Sequence, residues 1–402
     1  WWKKTFSNND VLSLVEKQQD LNFKPNSSYL YSNTNYILLA LIIEKVSGES
    51  FVAFTNNMFR QLKMHNTSFE DNYTSIRGPI ARAYFNFGSW TTYNWIWNAC
   101  GDGNIFSSLE DQIQWERIVQ GSISAGMSRS LIKKSQSYIK GSAFKNYGYG
   151  LEFGNYKGLS YMFHEGATGA WKATVTRFPA QKVSIITLTN TGKSIPSMQT
   201  RQMADIVFDL QPDNAYIISK PVAAGAFVND TAILGTYLTE SDFAFQFIKK
   251  ENKLFLRRSG RNDVELEREA ANIFRQKYDT LFKQEFTIDA EGRLQVTAYY
   301  INHAPYSLKK QTELRPDFNY RSLNGTYLNT ETGTMLEILH LQNNQYKIIL
   351  AGEEYTSNAL LITPQKMIAE NYTFNFHAAN SSVDTIYLNG GRIKNIRFMR
   401  QK

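Results

Sequence analysis

The chain has 402 residues, 42% of them hydrophobic and 14% aromatic, with 24 Gly and 9 Pro; it is longer than one typical domain, and its composition excludes a disordered or collagen-like chain. The net charge of +8, from 44 basic and 36 acidic residues, is dispersed along the sequence, which favours solubility and excludes a basic arm for nucleic acid. A single cysteine, Cys100, excludes an intrachain disulfide or thiolate cluster, and the five histidines (His65, His164, His303, His340, His377) lack the spacing of a helical zinc site, so no metal or cofactor is implied.

The chain opens Trp1-Trp2-Lys3-Lys4, without an initiator Met, an apolar leader or a cleavage site. A start inside a longer protein is therefore expected. Ser32, Asn33 or Thr34 can cap a helix that runs through Tyr36 and ends at Gly48, a residue suited to a left-handed cap. Its apolar stretch, 37–43, is interrupted by Glu44 and Lys45 and falls short of the ~20 residues that span a bilayer. The helix is apolar nearly all round and is expected to be buried rather than membrane-spanning. Ser50 starts a second helix with Phe51, Phe54, Met58, Phe59 and Leu62 at helical spacing. Another follows the tight loop Gly101-Asp102-Gly103, with Ser107 or Ser108 able to form a capping box with Glu110 or Asp111. Residues 173–178 and 183–190 alternate as strands across a turn at Pro179 and predict a hairpin. A final helix near Ser194-Ile195-Pro196 carries Met203, Ile206, Val207 and Leu210 at helical spacing.

This mixed region is expected to form a domain over 1–212, followed by a linker over 213–229. Beyond it the sequence becomes short alternating strands with an internal repeat. Gly235-Thr236-Tyr237-Leu238 recurs as Gly325-Thr326-Tyr327-Leu328, and the Phe286 and Phe374 segments recur at similar spacing. Two units of this size predict paired antiparallel barrels or sandwiches over 230–315 and 316–402, not a solenoid. Their aromatics, among them Tyr299, Tyr300, Phe374 and Phe376, are expected in the cores.

Two short motifs carry the chemistry. Tyr31-Ser32-Asn33 precedes the first apolar helix, and His164-Glu165-Gly166-Ala167 precedes a strand hairpin. By itself the first reads as a helix cap with a packed tyrosine and the second as a surface turn. In order with three further landmarks they say more: Leu62 to Phe69, Gly101 to Ser108, and Tyr147-Gly148-Tyr149-Gly150. Together, over about residues 5–210, they resemble the serine beta-lactamase-related, penicillin-binding-protein-like family, which includes class C beta-lactamases, DD-peptidases, D-aminopeptidases and esterases. The fold class the resemblance implies is α+β, an antiparallel sheet flanked by helices, beta-lactamase/transpeptidase-like but incomplete, followed by two all-β barrel-like domains.

The resemblance implies acyl transfer through a serine ester, with Ser-x-x-Lys, Tyr-x-Asn and Lys/His-x-Gly motifs. Tyr31 and His164 would be catalytic. A phenol of pKa about 10 is a weak base at neutral pH, so Tyr31 needs nearby positive charge or a proton-sharing network. Asn33 would present its amide to the substrate, Gly166 would leave room beside a strand edge, and the Ala167 N–H would be one oxyanion donor. His164 can be neutral and bond Tyr31, or charged and attract a carboxylate. No Ser-x-x-Lys precedes Tyr31. Matches at Ser130/Lys133, Ser137/Lys140, Ser142/Lys145 and Ser307/Lys310 all follow it, in the wrong order.

The expectation is a serine hydrolase acting on a D-amino-acid peptide, ester or related amide, whose nucleophile lies in a missing front, so that this chain alone is inactive, with apolar surface exposed. The alternative is a non-catalytic penicillin-binding-like module that binds cell-wall peptides or a protein partner. The family implies a periplasmic or secreted address with cell-wall association.

Overall fold

The computed structural model describes all residues except 1–4, 77, 87–89, 94–96, 143–145, 212–229, 240–243, 259–262, 278–281, 300–304, 312–318, 351–354, 371, 378–381, 391–392 and 402. The expected linker, the boundary near Arg315, Tyr300, His303 and Lys145 lie outside the described residues. The chain divides into two compact units, Trp1–Pro212 and Asp213–Lys402.

In the first unit, polar caps start the helices. Ser7 forms a capping box with Asp10 at α1 (Asn8–Val15), Ser32 caps α2 (Asn33–Ser47), and Ser50 caps α3 (Phe51–Gln61). Two short ladders follow, β1 (Ser68–Phe69) with β4 (Ile105–Phe106), and β2 (Ala83–Asn86) with β3 (Trp90–Tyr93). Ser108 caps α4 (Leu109–Val119), whose buried Asp111 accepts from the Asn66 N–H (2.7 Å) and the Thr67 hydroxyl (2.8 Å). Ser128 caps the short α5 (Arg129–Ser135). Asn8 hydrogen-bonds both backbone groups of Cys100. Burial pushes that thiol up to about 12, which leaves it inert at neutral pH.

The main sheet is antiparallel in sequence order: β5 (Glu152–Tyr156), β6 (Leu159–Thr168), β7 (Trp171–Phe178) and β8 (Val183–Thr189). Helix α6 (Pro196–Val207), with Pro at its first turn, buries Ala204 against Phe178, Ile185, Tyr161 and Val183 on one face of this sheet. On the other face Glu116 of α4 pairs with Arg177 of β7 at 2.5 Å and accepts from Ser184 of β8. Helix α2 departs from expectation. It buries Ile37 and Ala40, but Leu39, Ile42 and Val46 are exposed, as are Met203, Ile206 and Val207 on α6. Apolar composition all round a helix signals that all its faces need cover, not that this chain supplies it.

In the second unit the strands β9 (Gly235–Leu238), β10 (Ala244–Lys250), β11 (Lys253–Arg257), β12 (Val264–Ala270), β13 (Ile273–Gln276), β14 (Lys283–Ile288), β15 (Leu294–Tyr299) and β16 (Tyr306–Lys310) close a barrel. A second closed barrel follows: β17 (Gly325–Asn329), β18 (Thr334–Gln342), β19 (Gln345–Leu350), β20 (Tyr355–Thr363), β21 (Lys366–Ala369), β22 (Tyr372–Phe376), β23 (Thr385–Asn389) and β24 (Ile396–Arg400). The fold is thus a helix-flanked antiparallel sheet followed by two antiparallel eight-stranded barrels.

The repeated Gly-Thr-Tyr-Leu motif is the first strand of each barrel. Each motif tyrosine is fully buried and donates to the last carbonyl of a preceding 3-10 turn, Tyr237 to Ile233 (2.9 Å) and Tyr327 to Leu323 (2.8 Å). Side chains fill both interiors, including Phe247, Phe274 and Phe286 in the first barrel and Tyr346, Phe374 and Phe376 in the second. Tyr299 differs from expectation. It lies on the outer face opposite Lys283, half-buried, and its hydroxyl donates to Glu285 at 2.8 Å.

Candidate active site

The second motif is placed by the start of α2. Ser32 is extended (φ −140°, ψ 116°) and its hydroxyl accepts from the Asn35 N–H, so Tyr31 stands just outside the helix and Asn33 is its first residue. Tyr36 follows one turn later. The glycine loop lies hard against this turn. At Gly101 (φ +107°) a Cβ would come within 2.8 Å of both the Tyr36 carbonyl oxygen and the Ala40 Cβ, so neither the conformation nor the space admits a side chain.

The third motif occupies the end of β6. The two-residue loop Gly169-Ala170 joins Thr168 to Trp171, and positive φ at Gly169 (+58°) alone fits a type II′ turn. Thr168 and Trp171 then form the closing hydrogen-bonded pair. By the alternation of an antiparallel ladder, Gly166 and His164 also exchange bonds with β7, and the N–H groups of Ala167 and Glu165 point the other way. There, β5 pairs with β6 only as far as Glu152 opposite Phe163. Among the described residues, 164–168 therefore have a ladder partner on one side only, and the Ala167 N–H faces that open edge. Around Gly166 a Cβ would meet nothing within 4 Å. Pleating puts the His164 and Gly166 positions on the sheet face shared with Arg177, while Glu165 and Ala167 share the α6 face with Phe163 and Tyr161.

The two motifs meet. The rings of Tyr31 and His164 lie 6.1 Å apart at 45°. Asn33 is half-buried two residues along, and Ala167 is exposed. Burial holds the His164 imidazole below its ordinary range, opposed by a hydrogen bond to the Glu165 backbone. The ring is therefore neutral at pH 7, which favours the hydrogen-bonding role over the charged one. Burial raises the carboxyls of Glu152 and Glu165. The charge of Glu165 adds to the effect at Glu152, while Arg201 opposes it at Glu165.

Three tyrosines that the motif reading did not assign complete the cluster. Tyr147 lies edge-on to Tyr31 (6.3 Å, 74°) and packs on Tyr29 (5.5 Å), and its hydroxyl is 3.0 Å from that of Tyr36. Burial, with Glu152 nearby, pushes Tyr29 up to about 12, and burial with the Tyr36 hydrogen bond raises Tyr147. The Tyr-Gly-Tyr-Gly landmark contains this signal, but in the sequence it serves only as a marker of order. The out-of-order serines are engaged elsewhere. Ser130 bonds Ser128, Ser137 bonds the Lys134 carbonyl, and Ser307 lies in β16.

Comparison with known proteins identifies the family. Residues 6–208 match the Beta-lactamase family profile. The D-aminopeptidase of Brucella anthropi is 27% identical over 187 residues, covering 44% of this chain and 34% of the relative. That of Brucella canis is 26% identical over 187 residues, covering 44% and 35%. The matched region thus spans about a third of the length of these curated relatives. Among solved structures, the octameric penicillin-binding protein homologue from Pyrococcus abyssi has a TM-score of 0.45 and 21% identity, over 72% of this chain and 66% of that one. The D-amino acid amidase from Ochrobactrum anthropi SV3 complexed with D-phenylalanine has a TM-score of 0.42 and 18% identity, over 52% and 64%. With the family profile covering half of its length, the chain belongs to the beta-lactamase family.

Proposed function

We propose that this chain carries the greater part of the catalytic domain of a serine hydrolase that acts through an acyl-enzyme on D-amino-acid peptides, esters or related amides. The observation that carries the reading is the meeting of Tyr31 with His164 at a strand whose 164–168 edge is open. Similarity to D-aminopeptidases supports the substrate class.

In this reading the nucleophilic serine and its lysine come from chain ahead of residue 1, since the family's motif order places them before Tyr-x-Asn. The serine oxygen attacks the substrate carbonyl and its proton enters the network centred on Tyr31. Neutral His164 hydrogen-bonds that network, and the Ala167 N–H with the serine's own N–H holds the oxyanion. The leaving amine or alcohol takes up the proton, and water then hydrolyses the ester. Asn33 orients the substrate amide, and Gly166 leaves it room along the edge. The 402-residue chain alone is then inactive, and the complete protein is periplasmic or secreted.

The test is labelling of the protein carrying its upstream sequence with fluorophosphonate and fluorescent penicillin, alongside hydrolysis of D-aminoacyl amides. Labelling lost on replacing the upstream serine, with kcat reduced about 10²-fold or more by Tyr31→Phe, supports the reading. A protein that neither labels nor hydrolyses, yet binds cell-wall peptides, sinks it in favour of a non-catalytic module.

A further inference from the structure

Tyr31 precedes the first turn of α2 and so lacks the helix's own hydrogen bonds to hold its backbone. Its side chain needs support from elsewhere if the phenol is to keep one relation to His164. That support converges from three segments. Tyr147 sits at the start of the hairpin that carries His164, forming a bridge with Glu152. Its ring edge meets Tyr31, Tyr29 packs against it, and its hydroxyl is held 3.0 Å from that of Tyr36 on α2. Tyr36 is itself confined, with Gly101 against its carbonyl and Gly150 so close that a Cβ there would lie 3.3 Å from its hydroxyl.

We infer that Tyr147, locked by the Tyr36 hydroxyl, is a positioning residue that sets the phenol of Tyr31 against His164 by bracing α2 to the β5–β6 hairpin. The inference rests on the hydrolase reading only for its consequence in catalysis; the placement of Tyr31 can be measured without any turnover. A phenol is uncharged at neutral pH, and burial with the Tyr36 hydrogen bond raises that of Tyr147 further, so it braces without competing with Tyr31 for positive charge. The hydroxyl pair couples helix to hairpin, and the ring contact transmits that coupling to Tyr31. Loss of either Tyr147 or Tyr36 hydroxyl therefore produces the same effect, and loss of both adds little more.

The first experiment uses the 402-residue chain labelled with [ζ-13C]tyrosine, the Tyr31 line being assigned by its disappearance in Tyr31→Phe. Expected are a displaced Tyr31 line in Tyr147→Phe, a matching displacement in Tyr36→Phe, and a line split or broadened in Tyr147→Leu, with Tyr147→Phe retaining the wild-type melting midpoint. A Tyr31 line unmoved in all three folded variants overturns the inference, as does a Tyr147→Phe whose only effect is a lower midpoint. The second experiment uses the protein with its upstream sequence. Tyr147→Phe and Tyr36→Phe should each lower kcat about ten-fold at unchanged KM, non-additively when combined. Additive losses, or losses in KM alone, count against positioning. If the wild type shows no turnover the hydrolase reading fails, and the NMR result still decides the placement of Tyr31.

Discussion

Two glycines of similar rank in the sequence have opposite roles. A Cβ at Gly166 meets nothing, whereas one at Gly101 meets the Tyr36 carbonyl and Ala40 at 2.8 Å with φ at +107°. Gly166→Ala should leave the unfolding free energy within the scatter of surface substitutions, about 0.5 kcal/mol, while reducing kcat/KM of the complete protein because the methyl enters the substrate's space. Gly101→Ala should cost about 1–3 kcal/mol by denaturant unfolding, from strain alone and before the clash is relieved. A stable Gly101→Ala, or an unfolded Gly166→Ala, would contradict this division. His164 gives a prediction in pH. Its folded pKa lies below the ordinary value of about 6.5, so the folded state binds fewer protons in that window. Its contribution is therefore fully present above about 6.5 and is lost as pH falls toward the folded value. Glu152 and Glu165, both raised, act in the opposite sense, losing stability as pH rises above the ordinary carboxylate range. Melting of wild type and His164→Gln from pH 7 down to 5 separates them: the wild type should lose more. Parallel curves would mean that the imidazole is not buried as described.

At the level of elements, a buried ion pair joins α4 to the sheet. Glu116 and Arg177 are 4% and 6% exposed, and Ser184 and Gln136 add hydrogen bonds to them. Removing one partner strands a buried charge at a cost of about 3–5 kcal/mol, whereas replacing both by apolar residues of similar size restores most of the loss. Urea unfolding of Glu116→Leu, Arg177→Met and the double variant checks this; a double variant as unstable as the sum of the singles would refute it. Nothing in the local sequence around Glu116 or Arg177 announces such a pair, because it joins residues distant in the chain across a helix–sheet interface. What was legible is local. Ser32, Ser50 and Ser108 each cap through a side-chain hydrogen bond, and Pro196 opens α6. The order of Tyr31, Asn33 and His164 carried the family. The open edge of β6 beside Gly166 was implied only by the family resemblance; its extent depends on where pairing with β5 ends, at Glu152 opposite Phe163, which no local pattern marks. The tyrosine cluster was missed for the same reason as the ion pair: Tyr36 and Tyr147 look like core residues until the fold brings their hydroxyls together.

Across the whole chain, the repeat predicts where the barrels are weakest. Closure of each requires its last strand to return to its first, and both seams are short. They join Lys309 and Lys310 to Leu238 and Tyr237 in the first barrel, and Met399 and Arg400 to Leu328 and Tyr327 in the second. The same position in each seam holds a basic residue, ninety residues apart, that reaches back to the turn preceding the first strand. Lys310 donates to the Ala232 carbonyl at 2.7 Å. The Arg400 guanidinium donates to the carbonyls of Asn324, Ser322 and Val383 and to the Tyr327 hydroxyl, all at 2.6–2.8 Å, and lies over the Tyr327 ring. Planar geometry with five donors suits this task, and an ammonium could not reproduce it. Arg400→Lys should therefore cost about 2–3 kcal/mol, because charged-donor bonds to buried carbonyls are lost while the charge remains. Lys310→Arg should gain nothing comparable, because the Lys310 ammonium already donates to the Ala232 carbonyl. Hydrogen exchange followed by mass spectrometry distinguishes a seam effect from general destabilisation. Peptides from β17 and β24 should lose protection in Arg400→Lys while those from β20 and β21, on the far side of the barrel, and those from β9–β16 keep theirs. Uniform loss across β17–β24 would show that the barrel opens as one cooperative unit and that its seam is no weaker than the rest of its wall.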